Sequence, residues 1–239
     1  MTIESNRVLG AVAACLIAVG VVSQVAGVVS YSLQLSAMDL ALLSAASVLG
    51  ILSFVGFILY LVAMHGFSKD YDENRIFDYV LYGFIIAIVV GIILAVVLIS
   101  SVLSSMLSNF HVNNPPDPSQ ITSLVTKSVV PFLPAFGIAG LIYVVLNLLA
   151  FNLLADNSGV SLFRTGAKVL VAGAVLGVIL ELVSAVLFSV ESISYGNVLV
   201  LSFPSVLVQD AAWALLAVAF LRMRPQPAQS QIPVSPGVS

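Results

Sequence analysis

Residues 64–83 read MHGFSKDYDENRIFDYVLYG, from Met64 to Gly83, and hold the only dense cluster of charge in the chain: Lys69, Asp70, Asp72, Glu73, Arg75 and Asp78. Long apolar runs lie on both sides of it. A weaker echo follows at Leu154–Lys168, LADNSGVSLFRTGAK. Two short polar hinges between long apolar runs are the pattern of a chain that crosses a membrane several times.

Composition agrees. Of 239 residues, 60% are hydrophobic and only 8% charged, whereas a soluble domain carries about 25% charged residues. So few charges cannot coat a folded surface in water, and lipid must take the place of water around most of the chain. The mean hydropathy of +1.15 points the same way. A net charge of −3 leaves no basic surface to attract nucleic acid. The single cysteine, Cys15, makes neither an intrachain disulfide nor a zinc cluster.

About 20 apolar residues are needed to cross roughly 30 Å of hydrocarbon. Six runs meet that length, at about 8–31, 40–66, 77–107, 131–154, 166–190 and 198–221. The first, preceded by Arg7, competes with a signal peptide, but it exceeds the roughly 7–15 residues of a signal core. It is therefore expected to be a retained span. The runs are apolar on every face, so they are helices and not alternating barrel strands. Pro115, Pro116 and Pro118 end any helix in the longest polar loop. Residues 121–130 are expected along the membrane interface. The tail, 222–239, is Pro-, Gln- and Ser-rich and is expected to be disordered. The fold class is thus all-α, a polytopic six-helix bundle.

Six spans put both termini on one side. Arg7, Lys69, Arg75, Arg164, Lys168, Arg222 and Arg224 then share that side, and Lys127 alone lies opposite. The positive-inside rule makes the termini and both hinges cytoplasmic in a cell membrane. An internal repeat also shows. With Ile76–Phe77 placed over Leu162–Phe163, Gly91 falls on Gly177 and Ala87 on Gly173. Helix three carries Gly83, Ala87, Gly91 and Ala95 at four-residue spacing, and helix five carries Gly173 and Gly177. Such stripes let helices approach closely, within one chain or between copies in a homo-oligomer. Helices two–three and four–five therefore read as two copies of one hairpin.

The first hinge, with Gly66, Asp70–Tyr71–Asp72, Ile76–Phe77 and Leu81–Tyr82, resembles the signature of an archaeal family of small multi-pass membrane proteins of unknown function. The second hinge is similar to that family's second block through Gly159–Val160, Leu162–Phe163–Arg164–Thr165 and Gly166, and AAWALLAVAFLRM resembles its last helix. The resemblance implies an integral membrane protein with no assigned activity. It supplies no catalytic or ligand residues.

Two acids lie inside the spans, Glu181 in helix five and Asp210 in helix six, with no basic residue beyond the helix ends to neutralise them. Counted from the cytoplasmic ends they fall at similar depths, about 22 and 17 Å at 1.5 Å per residue, so the two are expected near each other. Gln209, Asn147 or a serine could hydrogen-bond them. Intramembrane acids mark proton relays and cation sites by default. His65 and His111 fall on opposite sides and cannot share a metal. The DYDEN run lacks the glycine and closing glutamate of a calcium loop. No H-E-x-x-H, G-x-S-x-G or phosphate-cradling loop is present. No metal or other cofactor is therefore expected. The sequence reads as a non-enzymatic membrane module whose partner is the lipid bilayer. The alternative is a small proton- or cation-coupled transporter that uses Glu181 and Asp210.

Overall fold

The computed structural model describes residues 2–32, 39–109, 132–189 and 195–224. Six α-helices run through them: α1 Ile3–Ser32, α2 Asp39–Asp70, α3 Arg75–Asn109, α4 Leu133–Ser158, α5 Leu162–Ser189 and α6 Tyr195–Arg222. Each contains a stretch long and apolar enough to cross a membrane, and no strand occurs among the described residues. The proline-rich loop, the interfacial stretch expected at 121–130, His111, Lys127 and the tail beyond Arg224 lie outside the described residues.

Most helices run past the apolar runs into the polar hinges. Helix α2 continues to Asp70 and α3 begins at Arg75, so the first hinge shrinks to residues 71–74. Its charges belong largely to helix ends. Lys69 sits in the last turn of α2 and Asp78 in the first turn of α3, each opposing the local helix dipole. The reversal is a Schellman turn. Glu73 N–H donates to Ser68 C=O at 2.9 Å and Asp72 N–H to Lys69 C=O at 3.3 Å, with Asp72 in the left-handed region at φ 52. The second hinge closes more simply. Gly159, at φ 71, donates its N–H to Ala155 C=O at 3.0 Å. Asn74 and Ser161 then start the next helices by accepting from amides three and four residues on.

The two hinges match, but one residue out of step with the sequence alignment. Asp72 corresponds to Gly159 and Asn74 to Ser161. In this register buried Ile76 and Val80 fall on buried Phe163 and Ala167, and Gly91 no longer falls on Gly177. Packing differs too. Helix α5 is covered by both α4 and α6, whereas α3 packs along α4 and touches α2 only sparsely. The repeat is therefore one of hinge geometry, not of whole hairpins.

Every helix packs on its neighbours in sequence, and α6 returns to α1, so the six form a closed ring whose thinnest seam is α2–α3. Small residues set the close contacts. Gly56 of α2 lies against the α1 backbone at Ala13 and Ile17, and Gly20 of α1 against Ser53. At the hinge end the ring is filled with aromatic rings. Phe67, Phe151, Phe163 and Phe220 are fully buried. Phe151 stacks on Phe163 at 6.0 Å, Phe67 stacks on Phe220 at 5.7 Å, and Phe163 meets Phe220 edge-on at 4.9 Å. Arg7 ties the ring shut there by donating from Nη1 to the Met223 carbonyl at 3.0 Å, beside an Asn6 Nδ2 to Asp70 Oδ2 bond of 2.7 Å.

Candidate functional site

Away from the hinges the ring is not filled. A cavity of about 460 Å³ lies at its centre, lined by α1, α2, α4, α5 and α6 and by no residue of α3. Towards the hinges it is floored by Trp213, whose indole meets Tyr60 edge-on at 5.7 Å. Beneath that, Tyr60 donates its hydroxyl to Asn147 Oδ1 at 2.6 Å, and Asn147 Nδ2 donates to the Tyr143 carbonyl at 2.8 Å. Asn147 is thus committed to Tyr60 and is not a partner for either acid. On the α3 side the wall is aromatic: Phe57 lies 5.7 Å from Tyr143 and 5.9 Å from Phe84.

Glu181 lines this cavity and Asp210 does not. The difference follows from how α5 meets α6. Gly166 packs on Leu216, Gly173 on Gln209 and Gly177 on Ser205, so each step up α5 is matched by one step down α6. Continued, this register sets Glu181 opposite Leu201 and Asp210 opposite Ala172. The carboxyls are then offset by about nine residues, roughly 13 Å along the axes at 1.5 Å per residue. Counting from the ends of the apolar runs had placed them level. The count misled because α5 starts at Leu162, four residues before the run, which carries Glu181 farther from the hinges. The cavity face of α6 is Ser202, Ser205, Val206, Gln209 and Trp213, and Asp210 sits one residue, about 100° of helical turn, past Gln209.

Glu181 Oε2 is buried without a hydrogen-bond partner, as is Asp210 Oδ1. A bare buried oxygen of this kind is costly unless something pairs with it. Gly137 of α4 makes the placement sterically feasible: a Cβ added there would fall on Glu181 Oε2. Ser53, Ser202 and Ser205 line the same end of the cavity. Ser205 donates its hydroxyl to the Ser202 carbonyl at 2.7 Å. Among the described residues, no lysine, arginine or histidine lines the cavity.

The small-residue stripes divide. Gly173 and Gly177 are buried against α6. Gly83 is buried against Tyr143 and Leu146 of α4. Ala87 is half-buried, and Gly91 has nothing within 4 Å of an added Cβ, so that half of the α3 stripe meets no neighbour in the ring.

At the first hinge Arg75 grips Glu73 through Nε and Nη2 at 2.8 and 2.7 Å. The Arg75 hydrogen bond holds the Glu73 carboxyl below its ordinary range and raises the guanidinium in turn. Burial, with Asp70 nearby, pushes the Tyr71 phenol up to about 12. Arg164 pairs likewise with Asp156 at the second hinge. These are solvent-facing pairs that shape turns. His65 is exposed, its ring 4.8 Å from Phe77.

Residues 52–193 match a described protein family, the protein of unknown function DUF996. That is more than half of the chain. The chain belongs to this family. The DUF996 match takes in both hinges, α3, α4 and all of α5, including Glu181, and ends before α6 and Asp210. The last helix, which the sequence reading had joined to the family pattern, is outside it. No curated protein and no solved structure matches the chain.

Most of the cavity residues went unread in the sequence, Ser53, Phe136, Tyr143, Ser202, Ser205 and Trp213 among them. A signal for two of them was present. Ser202, Ser205 and Gln209 recur at i, i+3 and i+7, which draws one polar face along an otherwise apolar helix.

Proposed function

We propose that this chain is a non-enzymatic ligand-binding module of the cell membrane, with the central cavity as its binding site and Glu181 as the residue that selects what enters. The observation that carries the reading is the Glu181 carboxyl on the wall of a cavity that no basic side chain among the described residues lines. A ligand that supplies positive charge or donors to that carboxyl offsets the cost of burying it. The cavity volume lies within the roughly 300–1,000 Å³ of small-molecule sites. Seven basic side chains at the hinge end support a cytoplasmic placement of both termini and both hinges.

The test is chemical access to Glu181 in the folded protein. Dicyclohexylcarbodiimide, an uncharged reagent that reaches carboxyls from the bilayer, is expected to modify Glu181 in lipid nanodiscs, read by mass spectrometry of the α5 peptide. Modification only after unfolding would overturn the reading.

A second reading, coupled transport of protons or a cation, draws on Asp210, whose buried oxygen also lacks a partner. Gln209 lies between it and the cavity. Proteoliposomes holding a pH gradient separate the two readings. Transport predicts that Glu181→Gln and Asp210→Asn each slow the decay of the gradient, and an unchanged decay in both removes it.

A further inference from the structure

We infer that the cavity binds a single-chain cationic amphiphile, an ammonium or quaternary ammonium on one alkyl chain, with its head at Glu181 and its chain directed at Trp213. The inference rests on the proposed binding reading and names the class of ligand for that same site.

Three features of the lining fix the class. The first is charge. Among the described residues, Glu181 is the only carboxyl on the wall, and no lysine, arginine or histidine lines it. An anionic head would meet repulsion from the carboxylate, and an uncharged head would forgo the charge pairing that a cationic head gains there.

The second is how polarity is layered along the axis. Ser53, Ser202, Ser205 and Glu181 line the part of the cavity farther from the hinges, as does Phe136 of α4. An aromatic ring next to a carboxylate suits an alkylammonium, which gains from the π-face as well as from the charge. Towards the hinges the wall becomes Val144, Leu170, Ala174 and Trp213, with Gln209 and Tyr143 as the polar exceptions. A small hydrated metal ion would use only the first layer and leave the apolar part of the cavity empty.

The third is length. In the α5–α6 register Glu181 stands opposite Leu201, and Trp213 lies twelve residues farther along α6. At 1.5 Å per residue that is roughly 18 Å between the two levels along the bundle axis, a separation that an extended alkyl chain can bridge.

Trp213 is the only tryptophan in the chain. It is buried, 4% exposed, so lipid scarcely reaches it. Its emission therefore reports on the deep end of the cavity. The probe is an alkyltrimethylammonium with bromine at the chain end, added to the full chain in zwitterionic nanodiscs. Saturable quenching of Trp213 is expected. Chain-matched brominated amphiphiles with an uncharged or a sulfate head should reach no saturation over the same range. Glu181→Gln should weaken binding at least about tenfold. Gly140→Leu, placed where an added Cβ meets nothing within 4 Å, should fold and block the chain, removing the quenching while leaving the Trp213 emission maximum unchanged.

Equal quenching by the three head groups, or equal saturation in Glu181→Gln, overturns the inference. So does full occupancy by tetramethylammonium with no preference for the chain. Protection of Glu181 from the carbodiimide by the probe would support it. If the carbodiimide modifies Glu181 but the probe neither protects nor quenches, the ligand class is wrong and the binding site stands. If the carbodiimide fails as well, the binding reading itself falls.

Discussion

At the residue scale, the molecule separates buried polar groups that hold it together from others that do not. Asn147 is fully buried, yet its amide is used on both sides, accepting from Tyr60 and donating to the Tyr143 carbonyl. Tyr60 in turn supports Trp213, so the cavity floor rests on one hydrogen bond between α2 and α4. Removing the hydroxyl leaves the Asn147 oxygen without its donor in an apolar interior. Tyr60→Phe should therefore lower stability by about 1 kcal/mol, the scale of hydrogen bonds between membrane helices. Thermal unfolding in detergent measures it, and a double-mutant cycle with Asn147→Leu should return most of that loss as coupling. Glu181 is the opposite case. Its Oε2 has no hydrogen-bond partner among the described residues, so Glu181→Gln should leave the same unfolding midpoint nearly unchanged. The sequence made Glu181 conspicuous as an acid within an apolar run. It could not show that Gly137 makes room for it, because that contact joins residues forty-four positions apart.

At the element scale, the hinges are where local chemistry decides geometry. Both need one residue with positive φ to end a helix, and only the second uses glycine there. An L-residue in the left-handed region is disfavoured by roughly 1–2 kcal/mol, less for Asp and Asn. Asp72 holds φ 52 with its carboxylate in solvent, and nothing else binds that side chain to its position. Asp72→Gly should therefore raise stability by about 0.5–1 kcal/mol, while Gly159→Ala should lower it by about 1 kcal/mol. Opposite shifts of the unfolding midpoint at the two hinges check this, and a fall in both would show that the Asp72 carboxylate matters to the turn. The hinges were legible in the sequence as charge between apolar runs. Their extent was not. Charge marks where polar side chains occur, and Lys69, Asp70, Arg75 and Asp78 continue the helices because long polar side chains reach solvent from a helix end. The same blurring moved the start of α5 and with it the depth assigned to Glu181.

At the scale of the whole molecule, composition alone gave the class, since lipid-facing helices carry their environment in their hydropathy. Ring closure was not legible in that way. It depends on α6 returning to α1, through Arg7 to the Met223 carbonyl and Gly10 against the Phe220 ring, and single helices apolar on every face do not declare their neighbours. The cavity is a consequence of closure, which explains why the sequence yielded two isolated acids and not a site. Closure also gives the bundle two unlike ends. Arg7, Lys69, Arg75, Arg164, Lys168, Arg222 and Arg224 crowd the aromatic, sealed end, and the cavity lies towards the other. Moving those seven charges across a bilayer is unfavourable, so the sealed end should face the cytoplasm and the Glu181 end the exterior. Single-cysteine labelling decides this. On a Cys15→Ser background, Asn114→Cys should react with a membrane-impermeant maleimide in intact cells, and Glu73→Cys only after permeabilisation. The reverse pattern would invert the orientation and turn the cavity towards the cytoplasm. Labelling of both positions from outside would break the six-span arrangement, because residues 73 and 114 are separated by the single span of α3.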